Sequence, residues 1–72
     1  VSEYVVIYEQ GPTGWGAYCP DLPGLGAVGA TRDEVERLIQ EAIELHIENL
    51  RDHGEKVPPP TSAAGTVAVS AA

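Results

Sequence analysis

Cysteine occurs once in this sequence, at position 19, which excludes a disulfide within the chain. With Cys19 and two histidines as the only soft ligands, no zinc-type spacing exists either. Basic residues are scarce: four Lys and Arg stand against eleven Asp and Glu, a formal net charge of −7. Phosphate backbones are held by basic side chains, so this balance disfavours direct nucleic-acid binding. It favours a basic protein partner, although acidity also simply keeps a small domain soluble. No stretch approaches the roughly 18 apolar residues that span a membrane. Val1-Ser2-Glu3-Tyr4 has neither the basic start nor the apolar run of a secretory signal. These features predict a soluble, cytoplasmic protein.

The 72 residues make at most one small domain, 1–72. A single core of this size contributes only about 3–5 kcal/mol of net stability. With no disulfide and no metal spacing to add to it, the chain is expected to self-associate as a dimer or tetramer, or to bind a partner chain.

Tyr4-Val5-Val6-Ile7-Tyr8 is β-branched and aromatic throughout and predicts a first strand, apolar on both faces. Gln10-Gly11-Pro12-Thr13-Gly14 is turn chemistry, and residues 15–19 form the second strand, ended by Pro20. After the Pro23-Gly24 turn, residues 25–30 predict a short third strand. Thr31 is placed to cap a helix, with Glu34 closing a capping box. Val35, Ile39, Ala42, Ile43, His46 and Leu50 recur at spacings of three and four, an apolar stripe on a helix from about residue 32 to 53. Gly54 is a suitable C-cap. The core is therefore assigned to 3–54 and a stiff proline-rich connector to 55–62, while the alternating residues 65–71 predict a C-terminal strand. The fold class is α+β: a three-to-four-stranded, mainly antiparallel sheet with one long helix on a face.

Chemistry-bearing groups are few. A Cys–His pair between Cys19 and either histidine is one arrangement, but a lone small thiol is more simply a packing residue. His46 lies in the apolar stripe, and His53 suits the negative end of the helix dipole. Glu41, Glu44 and Glu48 form either a solvated face or a docking stripe for a basic protein. Asp21 either bonds its own turn or faces a partner. No P-loop or dinucleotide fingerprint is present, and no cofactor is expected.

"GWGAYCPDLPGLGAVGATRDEV", "EAIELHIENL" and "GEKVPPP", taken in order, resemble the HicB-type antitoxin domain over about residues 4–60. That family is marked by a Pro-Asp-Leu-Pro-Gly turn, a Gly-x-Thr step into a helix and a Gly-x-x-Val/Ile-Pro-x-Pro exit. Here Pro20, Asp21, Leu22, Pro23 and Gly24 match the turn, Gly29 and Thr31 the helix entry, and Pro58 and Pro60 the exit.

The resemblance implies a β-β-β-α-β fold, a reduced relative of the ribonuclease H architecture, and a non-enzymatic antitoxin. Its partner would be a small basic HicA-type toxin that cleaves mRNA, silenced by occlusion. Many members carry a further DNA-binding domain; about a dozen residues follow Pro60 here, so direct DNA binding is not expected. The expected partner-binding residues are Asp21, Leu22, Glu41, Glu44 and Glu48; the fold-defining ones are Pro20, Pro23, Gly24, Gly29, Thr31 and Glu34. Two other functions compete: an orphan oligomeric regulatory or structural subunit, and a residual metal-dependent nuclease built on Asp21 with helix carboxylates.

Overall fold

Gly-Pro-Thr-Gly at residues 11–14 turns the chain back on itself, closed by a hydrogen bond from the Gly11 amide to the Gly14 carbonyl at 2.8 Å. The computed structural model describes residues 2–70, and this loop joins strand β1 (Ile7–Gln10) to β2 (Trp15–Tyr18). Strand β3 (Gly26–Gly29) pairs antiparallel with β2, giving the sheet order β1-β2-β3, and helix α1 (Arg32–Asp52) follows. The arrangement is α+β, a three-stranded antiparallel sheet with one long helix on a face.

β1 starts later than its apolar run predicts, and the register explains the shift. Ile7 faces Tyr18 and Gln10 faces Trp15. Residues 4–6 would have to face Cys19, Pro20 and the turn beyond, where proline has no amide to donate. They lie outside the ladder although they are its most strand-like residues.

Two successive turns connect β2 to β3. The Leu22 amide donates to the Cys19 carbonyl at 3.1 Å, and the Leu25 amide to the Leu22 carbonyl at 3.3 Å. In the second turn Pro23 is followed by Gly24 at φ 81°, the pattern of a type II turn, which needs a residue without a β-carbon at that place. The two turns carry Leu22 inward until it is completely buried.

The helix entry matches expectation with one difference. Thr31 caps it, its hydroxyl oxygen accepting the Glu34 amide at 3.2 Å. The Glu34 carboxylate, however, accepts the amide of Ala30 at 3.3 Å, one residue earlier than a reciprocal capping box. Gly29 makes room for this: a β-carbon there would stand 2.5 Å from Glu34 Oε1 and 3.0 Å from Val35 Cγ2. At the far end Gly54, at φ 68°, donates to the Arg51 carbonyl, and Glu55 to that of Leu50 at 2.8 Å, a Schellman motif.

Ala17, Cys19, Leu22, Val35 and Ile39 form the buried interior, flanked by Val6, Tyr8, Trp15, Ala27 and Ile43. The apolar stripe is only half used. At about 1.5 Å per residue the 21-residue helix is roughly 30 Å long, whereas four-residue strands span only about 13 Å. The helix lies over β2 and β3, and beyond Ile39 none of its residues is fully buried. His46 is half-buried there.

The C-terminal strand expected at 65–71 does not form over 65–70, and residue 71 lies outside the described residues. Alternation alone does not make a strand, because a strand needs an edge to pair with. From residue 63 onward the described chain is exposed and pairs with neither outer strand of the sheet.

Leu22→Ala should cost about 3 kcal/mol in urea unfolding, within the range for buried leucine truncations. That is most of what a domain of this size holds. Val28, 79% exposed on the open face of the sheet, should change stability by less than about 0.5 kcal/mol as Val28→Ala. Equal costs at the two positions would contradict the complete burial of Leu22.

Candidate partner-binding surface

The turn that buries Leu22 leaves its neighbour Asp21 partly exposed, and there the carboxylate closes a clasp across the chain. The amides of Thr61 and Ser62 donate to Asp21 Oδ2 at 3.1 and 3.0 Å, and their hydroxyls donate to Oδ1 at 3.0 and 2.9 Å. Nearby, the Tyr4 hydroxyl donates to the Pro58 carbonyl. The proline-rich exit is thereby tied both to the start of β1 and to the turn after β2. Of the two turn residues expected to face a partner, Leu22 has no accessible surface, and partly exposed Asp21 has both oxygens accepting from Thr61 and Ser62. Thr61 and Ser62 were not singled out by the sequence. Their only signal was a pair of hydroxyl residues directly after three prolines.

The helix carries the charge. Seven of the eleven carboxylates lie on α1, where Glu41, Glu44 and Glu48 are all exposed. At about 100° per residue, Glu41, Glu44 and Glu48 fall on the side opposite the buried Val35 and Ile39, and Leu45 lies at the edge of that side, one turn from Glu41 and Glu48. Leu45 is 59% exposed. An exposed apolar residue bordered by charges of one sign suits a protein-docking patch.

A groove of about 610 Å³ opens on the other side of the helix, where α1 does not reach over β1. Val6, Tyr8, Ile39 and Ile43 line it, with Glu36, Arg37 and Glu44 at its rim. Arg32 closes one end of the adjoining surface, its guanidinium 4.7 Å from the centre of the Tyr8 ring. Burial raises the Tyr8 pKa, Glu36 adds to the rise and Arg32 opposes it. Cys19 is buried and unpaired, and His53 Nδ1 lies 2.7 Å from the Asn49 carbonyl, a helix-end contact. Among the described residues no three His, Cys, Asp or Glu side chains converge as a metal site.

The clasp has a pH signature. Hydrogen bonds, the Ser62 amide foremost, hold the Asp21 carboxyl below the usual carboxylate range. A depressed folded pKa means that the clasp contributes above the unfolded value and is lost as pH falls through the folded one. The amide proton shifts of Thr61 and Ser62 should therefore titrate together, with a midpoint below about 3.9, the unperturbed aspartate value. In Asp21→Ala the acid titration of these two amides should vanish. If Thr61 and Ser62 keep their shifts in that variant, the clasp does not hold the exit segment.

Comparison with known proteins bears on the whole chain. A family model described as the HicB-like antitoxin of bacterial toxin–antitoxin systems matches residues 4–70. A UPF0150 protein of Thermoplasma acidophilum is 39% identical over 57 residues, covering 78% of this chain and 83% of that protein. A UPF0150 protein of Synechocystis sp. is 39% identical over 59 residues, covering 81% of this chain and 75% of its own length. No solved structure matches. The match spans the hairpin, the Pro-Asp-Leu-Pro-Gly turn, the helix and the clasped exit together, and the chain belongs to the HicB-like antitoxin family of bacterial toxin–antitoxin systems.

Proposed function

We propose that this chain neutralises a small, basic, mRNA-cleaving toxin of the HicA type by covering it with the outward face of α1, acting as a dimer or larger assembly. The observation that carries the reading is the outward row of exposed Glu41, Glu44 and Glu48, with exposed Leu45 at its edge, on a member of an antitoxin family. An RNA-cleaving protein presents basic side chains to phosphate. Carboxylates spaced along one helix face compete for those side chains, and Leu45 supplies the apolar contact that a salt-screened surface pair lacks.

The nuclease reading is less well supported. A metal ion at Asp21 would have to displace four hydrogen bonds from Thr61 and Ser62 before either oxygen became free. The reading proposed here needs only surfaces that are already exposed, and no catalytic group.

The test is binding of a small basic HicA-type toxin, measured by calorimetry at low and high salt. Affinity should fall steeply as salt screens the charges, over a Debye length near 10 Å at about 0.1 M. Glu41→Lys/Glu44→Lys/Glu48→Lys should weaken it by roughly a hundredfold or more, and Leu45→Ala by about tenfold. Affinity indifferent to salt and to all four substitutions would exclude this face as the toxin site.

A further inference from the structure

Three glycines lie in the strands, and two of them are explained by crowding. A β-carbon at Gly26 would stand 3.1 Å from the Ala17 carbonyl oxygen, and one at Gly29 only 2.5 Å from Glu34 Oε1. Gly16 is different. A β-carbon there would meet nothing closer than the Ala27 carbonyl oxygen at 3.8 Å and Val28 Cγ1 at 3.9 Å, which is ordinary van der Waals contact, and its φ is not positive. A glycine inside a strand weakens that strand. Neither the packing nor the backbone of this domain requires one in the middle of the sheet.

The register shows what the missing side chain leaves. Glu9, Gly16 and Val28 stand side by side across the three strands. Tyr8, Ala17 and Ala27, their neighbours along each strand, belong to the core under the helix, so by strand alternation the first three face the other way. Glu9 and Val28 therefore wall a slot two strand spacings across, about 10 Å, with bare Gly16 backbone as its floor. Hairpin loop residues 11–14 close one end, and the groove as a whole measures about 520 Å³.

The chemistry of the slot is one-sided. Glu9 is exposed, and the one ion pair among the described residues, Arg32 with Glu36, does not involve it. The three arginines all lie on α1, across the sheet, and Lys56 follows the helix. The carbonyls of Gly11, Pro12 and Thr13 accept no backbone amide among the described residues, and Pro12 has no amide of its own. A carboxylate beside unused acceptors suits a cation that only donates. Guanidinium is that group: planar, with five N–H donors and no acceptor.

We propose that this slot receives one arginine side chain of a protein docked on the open face of the sheet. The guanidinium lies flat over Gly16 and pairs with Glu9 and the loop carbonyls, while its methylene stem covers Val28, which is 79% exposed. The slot lies across the sheet from the helix that carries Glu41, Glu44 and Glu48, so it stands independently of the function proposed above.

The probe is the blocked peptide acetyl-Gly-Arg-Gly-amide, titrated into the isotopically labelled full chain and followed through backbone amide shifts. Its citrulline twin is the neutral control of the same shape. Saturable shifts should centre on Glu9, Gly16 and Val28, and the citrulline peptide should bind roughly tenfold more weakly. Glu9→Gln should bring the arginine peptide down to the citrulline level with the urea midpoint unchanged. Gly16→Val separates a binding role from a structural one. It should raise the urea midpoint, because a β-branched side chain suits an unstrained strand position, and it should abolish the saturable shifts by filling the slot. Four results would each overturn the proposal: no saturation at these residues, equal binding of the citrulline peptide, shifts confined to Glu41, Glu44 and Glu48, or native binding by Gly16→Val. A lowered urea midpoint in Gly16→Val would also count against it, since the glycine would then serve the fold.

Discussion

Five residues between the second and third strands, Pro20 to Gly24, bind the three parts of this molecule to one another. Leu22 is completely buried, while Asp21, one residue away, holds Thr61 and Ser62 at the surface. Proline sets the two turns and Gly24 supplies the positive φ that lets the second one close. Inward packing and outward clasping thus alternate along consecutive residues, and neither side chain could be moved without moving the other. The angle at which the exit segment leaves the domain is inherited from a turn forty residues earlier.

Local chemistry was legible wherever it acted locally. Thr31, Gly54, the hairpin loop and the extent of α1 all follow from capping and turn preferences that operate within a few residues. What escaped was long-range. Asp21 looked like a turn residue or a partner contact because its donors lie forty residues away, and nothing near it in sequence names Thr61 or Ser62. Leu22 looked available because the type of a residue does not say which way a double turn points it. The apolar stripe of α1 was visible in full, but how much of it is buried depends on strand length, and four-residue strands cover only its first half. The tail alternates like a strand, but alternation does not say whether the tail reaches an open edge of the sheet, and here it pairs with none.

Charge is distributed unevenly along the chain. The carboxylates concentrate on α1, whereas the described exit beyond Lys56 contains none. A basic protein approaching this domain is drawn to the helix, at a rate that depends on ionic strength.

Titration of the isotopically labelled chain with the proposed HicA-type toxin, followed through backbone amide shifts, tests most directly whether the fold presents one face for recognition. The account predicts that Glu41, Glu44, Leu45 and Glu48 shift first and most, while Thr61 and Ser62 hold their positions on Asp21. Shifts concentrated at Pro20-flanking residues, Thr61 and Ser62, with the outer face of α1 unmoved, would contradict it.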